Sequence, residues 1–173
     1  MTAFVALLRA VNVGGTGKLA MSDLTAICAA AGLERVKTYI ASGNVVFRTD
    51  RAEAEVRAAI EAGLLGYAGK PVGVLVRSAE EMAAVRDANP FPERAPNWTV
   101  AIFLDAAPPA DALALATGVN GEEMRLGRRE VYVHYGNGMA DSKLRIPAAA
   151  AGTARNMNTV AKLAEMAREL GQA

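Results

Sequence analysis

Apolar and polar residues alternate along this chain in short blocks, and the block lengths predict a mixture of strands and helices. The apolar run 3–9 (AFVALLR) is too short for a core helix and predicts a buried strand. The segments 36–40 (VKTYI) and 45–47 (VVF) flank Ser-Gly-Asn at 42–44, which predicts a β-hairpin. A fourth strand is predicted over 72–76 (VGVLV).

Two helices are predicted between these strands. Apolar residues recur at helical spacing over 24–31, and Ser22 precedes them as the expected N-cap. Asp50 and Glu53 resemble a capping box for a second helix over 51–62. The resulting order β-α-β-β-α-β is the ferredoxin-like plan.

The second half of the chain is expected to follow the same order without a final strand. Ser78 and Glu81 form a capping box that predicts a connecting helix, ending before Pro90 because proline disfavours helical backbone in the preceding residue. The further predicted elements are a strand over 99–105, a short helix over 108–116, a hairpin around 127–129 and a final helix over 156–170.

We therefore predict an α+β protein with two tandem ferredoxin-like halves, the second lacking its last strand. The predicted divisions are a first ferredoxin-like subdomain over 1–77, a connecting helix and Pro-rich loop over 78–97, and a second α+β subdomain over 98–173 that ends in the C-terminal helix. The similarity of the halves depends on element order alone.

Composition narrows the classes of function. A chain of 173 residues buries roughly 70% of its unfolded surface, which is enough for a real core. The net charge of +1 gives no overall attraction to nucleic acid or to an anionic membrane. No apolar run reaches the ~18–20 residues of a membrane span. A single Cys excludes an internal disulfide, and no signal peptide is visible, so we expect a cytoplasmic protein.

The Gly-rich stretch 12–18 (NVGGTGK) resembles a phosphate-binding loop but fails the Walker A pattern. Counting from Lys18, Asn12 stands in place of the first glycine and Leu19 in place of the Mg²⁺-binding hydroxyl. Gly14 and Gly15 nevertheless allow backbone N–H groups to converge, and Lys18 adds a charge. This stretch is either an anion-binding turn or an ordinary strand-to-helix connection with a solvated lysine.

Two other polar segments are candidates for a site. Ser42, Gly43 and Asn44 form the expected hairpin turn and follow a strand of the same predicted sheet as the Gly-rich loop. Ser142 and Lys143 lie in a long polar loop, and long loops in compact domains are often functional. The plainer alternatives are a structural turn and a disordered connection.

The start of the last predicted helix is the fourth candidate. Free N–H groups and the helix dipole favour an anion there, and Arg155 could bind a carboxylate or phosphate through two hydrogen bonds. Asn156, Asn158 and Thr159 could support the same site, although Asn and Thr are also ordinary helix caps.

The remaining reactive residue types have structural interpretations. His134 is the only histidine, and without a partner in the sequence we favour a structural or surface role over that of a catalytic base. Cys28 lies on an apolar helix face and is expected to be a packed, inert thiol. No histidine-based metal site can be assembled, and the sequence leaves any cofactor unknown.

Four segments together resemble a bacterial family of proteins, the domain-of-unknown-function family 1697. They are VALLRAVNVGGTGKLAMSDL, YIASGNVVF, GNGMADSKL and TARNMNTVAKL. The family's pattern has R-G-I-N-V-G-G, S-G-N-V, G-x-x-x-S-K-L and R-N-W-N-T-V in this order. Ala10 stands where the family has glycine, and Met157 where it commonly has tryptophan. The resemblance covers nearly the whole chain and implies the importance of these segments, but it carries over no catalytic residue.

Our first hypothesis is a protein that binds a small anionic ligand, such as a phosphorylated metabolite or nucleotide, in a polar site shared by the two halves. Whether it is also an enzyme stays open. The predicted ligand-binding residues are Asn12, Gly14, Gly15, Lys18, Ser42, Gly43, Asn44, Ser142, Lys143, Arg155, Asn156, Asn158 and Thr159.

Two alternatives stay open beside it. A ferredoxin-like sheet could bind RNA through aromatic residues such as Phe47 and Tyr132, although no RNP1 string is present. The chain could instead be a protein-interaction module, for which an apolar edge strand or a stable dimer would be the sign. No membrane partner is expected.

Overall fold

The computed structural model describes residues 1–11, 18–136 and 138–172. In this part of the chain, four α-helices accompany two four-stranded antiparallel sheets. The chain divides into two compact units, Met1–Ala83 with Lys162–Ala173, and Ala84–Ala161. The fold is therefore α+β, as the sequence predicts.

The first unit contains the predicted order β-α-β-β-α-β. Its elements are β1 (Thr2–Leu8), α1 (Met21–Ala30), β2 (Glu34–Thr38), β3 (Asn44–Thr49), α2 (Glu53–Ala68) and β4 (Val74–Ser78), and α3 (Ala79–Asp87) follows. The strand order in the sheet is β2-β3-β1-β4. The predicted hairpin across Ser42–Asn44 is confirmed, since β2 pairs antiparallel with β3.

Strand β1 is buried on both of its faces, which explains its nearly continuous apolar sequence. Phe4, Ala6 and Leu8 belong to the core cluster that includes residues of α1 and α2. The residues between them, such as Val5 and Leu7, are also fully buried. A sheet that is covered on both sides offers no open face from its central strand.

The helix boundaries differ in part from the predicted ones. The N-cap of α1 is Ala20, so Ser22 lies within the first turn and does not cap the helix. The helix α2 begins later than predicted, after Ala52, and continues to Ala68, where Gly69 ends it with φ +71°. The Asp50–Glu53 box is therefore not the cap of α2, because the helix does not start at Asp50.

The capping box before α3 is confirmed by two reciprocal hydrogen bonds. The Ser78 N–H donates to Oε1 of Glu81 at 2.9 Å, and the Glu81 N–H donates to Oγ of Ser78 at 3.1 Å. Both backbone donors would otherwise lack an acceptor at the start of the helix.

The second unit carries the other sheet. Its strands are β5 (Thr99–Phe103), β6 (Glu123–Leu126), β7 (Glu130–His134) and β8 (Thr153–Asn156), in the order β6-β7-β5-β8. The helix α4 (Met157–Gln172) begins directly after β8 and continues into the residues of the first unit.

The second half differs from the predicted order in two ways. A strand that was not predicted, β8, lies before α4 and completes the sheet by pairing with β5, and no strand follows α4 within the described residues. The polar sequence Thr-Ala-Arg-Asn has strand-like backbone through that pairing, which no local pattern predicts. The segment 108–116 forms turns instead of the predicted short helix. Its backbone hydrogen bonds are isolated ones, such as that from the Ala112 N–H to Pro109 O at 3.0 Å.

Within the described residues, none of the helices is both long enough and apolar enough to span a bilayer.

Candidate functional site

A groove in the first unit brings together two lysines from distant parts of the chain. We call it the lysine groove, and its volume is about 300 Å³. Its described lining residues are Ala10, Val11, Lys18, Leu19, Leu64, Tyr67, Ala68, Lys70 and Val72.

The lysine groove combines an apolar floor with cationic walls. Val11, Leu19 and Leu64 are buried and form the floor, whereas Lys18 and Lys70 are exposed. No Asp or Glu occurs among the described lining residues. The formal charge of the lining therefore favours an anion, and the floor favours a ligand that also has an apolar part.

A carboxylate outside the groove, that of Asp23, orients the phenol of Tyr67. Its hydroxyl donates to Oδ2 of Asp23 at 2.8 Å, and this hydrogen bond, with burial and the carboxylate's charge as lesser causes, raises the pKa of Tyr67. The phenol therefore stays protonated at neutral pH and adds no negative charge to the groove.

The Gly-rich stretch of the predicted site is described only from Lys18 onward. Asn12, Gly14 and Gly15 lie outside the described residues. Lys18 is the described member of that stretch, and its neighbour Leu19 packs into the core of the first unit.

The Ser42–Asn44 turn has a structural role in the first unit. Asn44 is fully buried, and its Nδ2 donates to Tyr39 O and to Oγ of Ser42, both at 2.9 Å. Gly43 has φ +90° and accepts a hydrogen bond from the Leu8 N–H at 2.8 Å. The turn thus joins β3 to the end of β1 and is not part of the lining of the lysine groove.

A second cavity, of about 450 Å³, lies in the second unit. We call it the polar cleft. Its described lining residues are Gly118, Val119, Asn120, Gly121, Glu122, Tyr135, Gly136, Gly138, Asp141, Ser142 and Lys143.

Two loops form the polar cleft, and backbone hydrogen bonds connect them. The Thr117 N–H donates to Arg145 O at 2.9 Å, and the Arg145 N–H donates to Thr117 O at 2.8 Å. Gly118, with φ +70°, then passes so close to the carbonyl oxygen of Lys143 that a Cβ would overlap it. This contact requires glycine at the position.

The predicted residue Ser142 contacts a carboxylate in this cleft. Its Oγ donates to Oε2 of Glu122 at 2.5 Å, and the Asn120 N–H donates to Oε1 of the same carboxylate at 2.5 Å. These hydrogen bonds, that of Ser142 first, lower the pKa of Glu122. Burial, and then the charge of Glu122, raise the pKa of Tyr135. Lys143 therefore shares its cleft with a carboxylate that is charged at neutral pH.

An apolar cavity adjoins the polar cleft along Tyr135, which lines both. Its volume is about 490 Å³, and its other walls include Ile102, Leu144 and Ile146.

Arg155 occupies a different environment from the predicted one. It lies in β8, paired with Ala101, and is only 7% exposed. Its Nη1 donates to Oγ1 of Thr153 at 2.7 Å and to Ala154 O at 3.0 Å. Burial lowers the pKa of Arg155 to about 10. These two contacts connect the guanidinium to residues of its own strand.

One of the polar residues at the start of α4, Asn156, caps the helix. Oδ1 of Asn156 accepts the Thr159 N–H at 2.9 Å, which is an ordinary N-cap hydrogen bond. Asn158 is exposed and Thr159 is buried. None of the three residues is part of the lining of the polar cleft.

Cys28 and His134 are buried in the cores of their units. Cys28 belongs to the cluster around β1, and burial raises the pKa of its thiol to about 12. Nδ1 of His134 lies 2.9 Å from Oγ1 of Thr99. Within the described residues, no group of three or more His, Cys, Asp and Glu could hold a metal ion.

Sequence reasoning did not find several lining residues of the two cavities. No local sequence pattern marks Lys70 or Tyr67 as lining residues, because they share a cavity with Lys18 only in the folded chain. The Gly118–Glu122 segment had a weak signal, because two glycines close together in a polar stretch favour positive φ.

A solved protein structure has a similar fold. In three dimensions the chain is similar to conserved bacterial protein SP0830 from Streptococcus pneumoniae, with a TM-score of 0.78 and 21% sequence identity. The match covers 96% of this chain and 98% of that protein. It shows the α+β fold.

The model of the protein family DUF1697, described as a protein of unknown function, matches residues 1–132. The chain belongs to this family, and the matched range contains the first two of the four motifs, whereas the other two lie beyond residue 132. No curated protein matches the chain significantly.

Proposed function

We propose that this protein binds a small anionic ligand, of the phosphorylated or nucleotide-like class, in the lysine groove. The observation that carries the proposal is the pairing of Lys18 and Lys70 in one cavity whose described lining residues include no carboxylate. Two ammonium groups attract a phosphate by Coulomb interaction and by charge-assisted hydrogen bonds.

The surroundings of Lys18 support the same ligand class. Ala20, the N-cap of α1, has a methyl side chain that cannot accept a hydrogen bond from the first N–H groups of the helix. Such N–H groups, together with the helix dipole, favour an anion, although Asp23 in the first turn already supplies one carboxylate there. The apolar floor at Val11 and Leu64 supports a ligand with a sugar, base or acyl portion beside its anionic group.

The other described residues of the predicted site do not line the lysine groove. Ser42 and Asn44 hold the hairpin turn, and Asn156 caps α4. Arg155 is buried in β8. Convergence of all four polar segments on a single site, shared by both halves, stays a prediction.

Ligand-induced stabilisation tests the proposal. Thermal unfolding of the full chain is measured with inorganic phosphate, nucleotides and phosphosugars. A ligand at ~100 times its dissociation constant adds about 2.7 kcal/mol, a shift of several degrees for a protein of this size. We expect Lys18→Met and Lys70→Met each to reduce the shift.

Lys37→Met is the matched control, because Lys37 is exposed on β2 of the same unit and does not line the groove. If all three variants reduce the thermal shift equally, the shift depends on the net charge of the protein and not on the lysine groove. Absence of any shift with every anion would refute the proposal.

We also infer that both sheets derive from a ferredoxin-like plan. The orders β2-β3-β1-β4 and β6-β7-β5-β8 correspond strand for strand, which supports a tandem layout. The connections differ, because turns occupy the segment after β5 where α1 follows β1.

The RNA-binding alternative gains little from this layout. Ferredoxin-like RNA-binding domains stack bases on exposed aromatic rings. Here Phe47 is buried beside Phe4, with ring centroids 6.1 Å apart, and the buried Tyr132 donates its hydroxyl to Val85 O at 2.8 Å. Neither ring is exposed for stacking.

A further inference from the structure

The polar cleft differs from the lysine groove in the charge of its walls. Among its described lining residues, Glu122 and Asp141 carry carboxylates and Lys143 carries an ammonium group. The formal sum is −1, which opposes the entry of a phosphate. A ligand that carries a positive group beside a negative one would match this lining.

Glu122 is held in place before any ligand arrives. Ser142 and the backbone of Asn120 each donate to one of its two oxygens. A carboxylate has about four acceptor positions, and the donors are Ser142 and the backbone N–H groups of Asn120 and Glu122, so capacity for a further donor remains. A ligand ammonium, with three N–H donors, can use that capacity without displacing Ser142.

Two further lining residues, Lys143 and Tyr135, supply groups for the rest of such a ligand. Lys143 follows Ser142 directly, so its ammonium group belongs to the same loop as the serine that holds Glu122. The ring of Tyr135 is half-buried in the wall, and an aromatic ring also favours a cation near its face.

We propose that the polar cleft binds a small zwitterion of the α-amino-acid type, with its ammonium at Glu122 and Asp141 and its carboxylate at Lys143. A volume of about 450 Å³ is ample for such a molecule. This site goes beyond the anion-binding function proposed above, because it uses another cavity and the opposite balance of charge.

Trp98 provides a direct readout of the cleft. It is the only tryptophan of the chain, and its ring lies 3.4 Å from the position that a Cβ would occupy at Gly138, a residue of the lining. Ligand binding that shifts the Gly138 loop will change the fluorescence of Trp98.

The experiment titrates the full chain with the proteinogenic amino acids singly, followed by Trp98 fluorescence and by calorimetry. For L-serine, the matched probes are ethanolamine, which lacks the carboxylate, and 3-hydroxypropionate, which lacks the amine. We expect a zwitterion to bind, and each matched probe to bind about tenfold more weakly or worse, since one charged hydrogen bond is lost.

Variants assign the two ends of the ligand. Glu122→Gln and Lys143→Met should each weaken zwitterion binding about tenfold. Asp141→Asn should weaken it as well, and this exposed residue can be changed without removing the hydrogen bonds of Glu122. Glu93→Gln, an exposed change of equal charge in the same unit but outside the cleft, should leave binding unaltered.

Several outcomes would overturn the proposal. These are no response to any amino acid, equal binding of the amine without its carboxylate, or a fluorescence response to inorganic phosphate that is lost in Lys143→Met. Phosphate binding that depends on Lys18 and leaves Trp98 fluorescence unchanged concerns only the lysine groove, so the two proposals can fail separately.

Discussion

The Thr99 hydroxyl contacts both Nδ1 of His134 at 2.9 Å and the carbonyl oxygen of Ala95 at 3.1 Å. A hydroxyl has one proton, and a carbonyl oxygen can only accept. The hydroxyl therefore donates to Ala95, and Nδ1 of His134 carries a proton that it donates to Thr99. Both side chains are buried, so this pair anchors β5 to β7 inside the second unit.

A double-mutant cycle tests the Thr99–His134 pair. Thr99→Val, His134→Leu and the double variant are compared by urea denaturation. We expect a coupling energy of about 1 kcal/mol, because Thr99→Val leaves the buried Nδ1–H of His134 without its acceptor, and this cost is absent once His134 is also replaced. Additive single effects, or a ¹⁵N spectrum with an unprotonated Nδ1, would contradict this assignment.

Gly118 and Gly121 form a matched pair for testing the construction of the polar cleft. Both have positive φ, +70° and +86°, but a Cβ at Gly121 meets nothing within 4 Å whereas one at Gly118 overlaps the Lys143 carbonyl. We expect Gly121→Ala to cost about 1–2 kcal/mol for the left-handed backbone alone. Gly118→Ala should cost clearly more, as measured by the midpoint of urea denaturation.

Equal destabilisation by the two glycine variants would show that the contact between Gly118 and Lys143 is unimportant. In that case the two loops of the cleft would not depend on close approach of their backbones.

Ala10 provides a stabilising prediction. Its φ of +55° lies in the left-handed region, and the family pattern has glycine at this position. We expect Ala10→Gly to raise the free energy of unfolding by roughly 0.5–1 kcal/mol, because relief of backbone strain exceeds the entropic cost of glycine. Ala29→Gly, on the exposed side of α1, should lower stability by about 1 kcal/mol. A loss of thermal stability in Ala10→Gly would contradict the strained backbone.

The buried thiol of Cys28 makes the free energy of unfolding depend on pH in the alkaline range. Burial raises the pKa of its thiol from 9.0 to about 12, so the folded chain holds this proton where the unfolded chain releases it. The stabilisation is complete below pH 9 and is lost as the pH rises from about 9 towards 12. By pH 10 the wild-type protein should lose about 1 kcal/mol more than Cys28→Ala does, each relative to its own stability at pH 8.

Thiol labelling gives an independent check. At pH 8 a disulfide reagent should modify Cys28 only on unfolding in urea. Rapid labelling of the folded protein, or identical pH profiles for the two proteins, would disagree with a buried thiol.

The accuracy of sequence reasoning followed the range of the interactions involved. The Ser78–Glu81 box and the hairpin at Ser42–Asn44 are local, because turn and cap residues lie within a few positions of the backbone groups they satisfy. The strand β8 was missed for the opposite reason. Its polar sequence becomes a strand only through pairing with β5.

The candidate site divides in the same way. The sequence identified Lys18, Ser142 and Lys143 as polar residues at the ends of elements, and each lines a cavity. It also assigned Arg155 to a ligand; that side chain is buried in β8, and its role toward a ligand stays a prediction. Burial of a long cationic side chain is decided by what packs around it, which periodicity does not report.

By itself, the sequence determined the family, the α+β class and most of the elements of the first unit, because apolar periodicity, caps and turns act over a few residues. Only the tertiary structure decided the partners of the candidate residues. Lys18 and Lys70 both line the lysine groove, and Lys143 and Glu122 both line the polar cleft. The charge of a cavity is the sum over side chains from separate segments, so the balance between cations and carboxylates arises only when the chain packs.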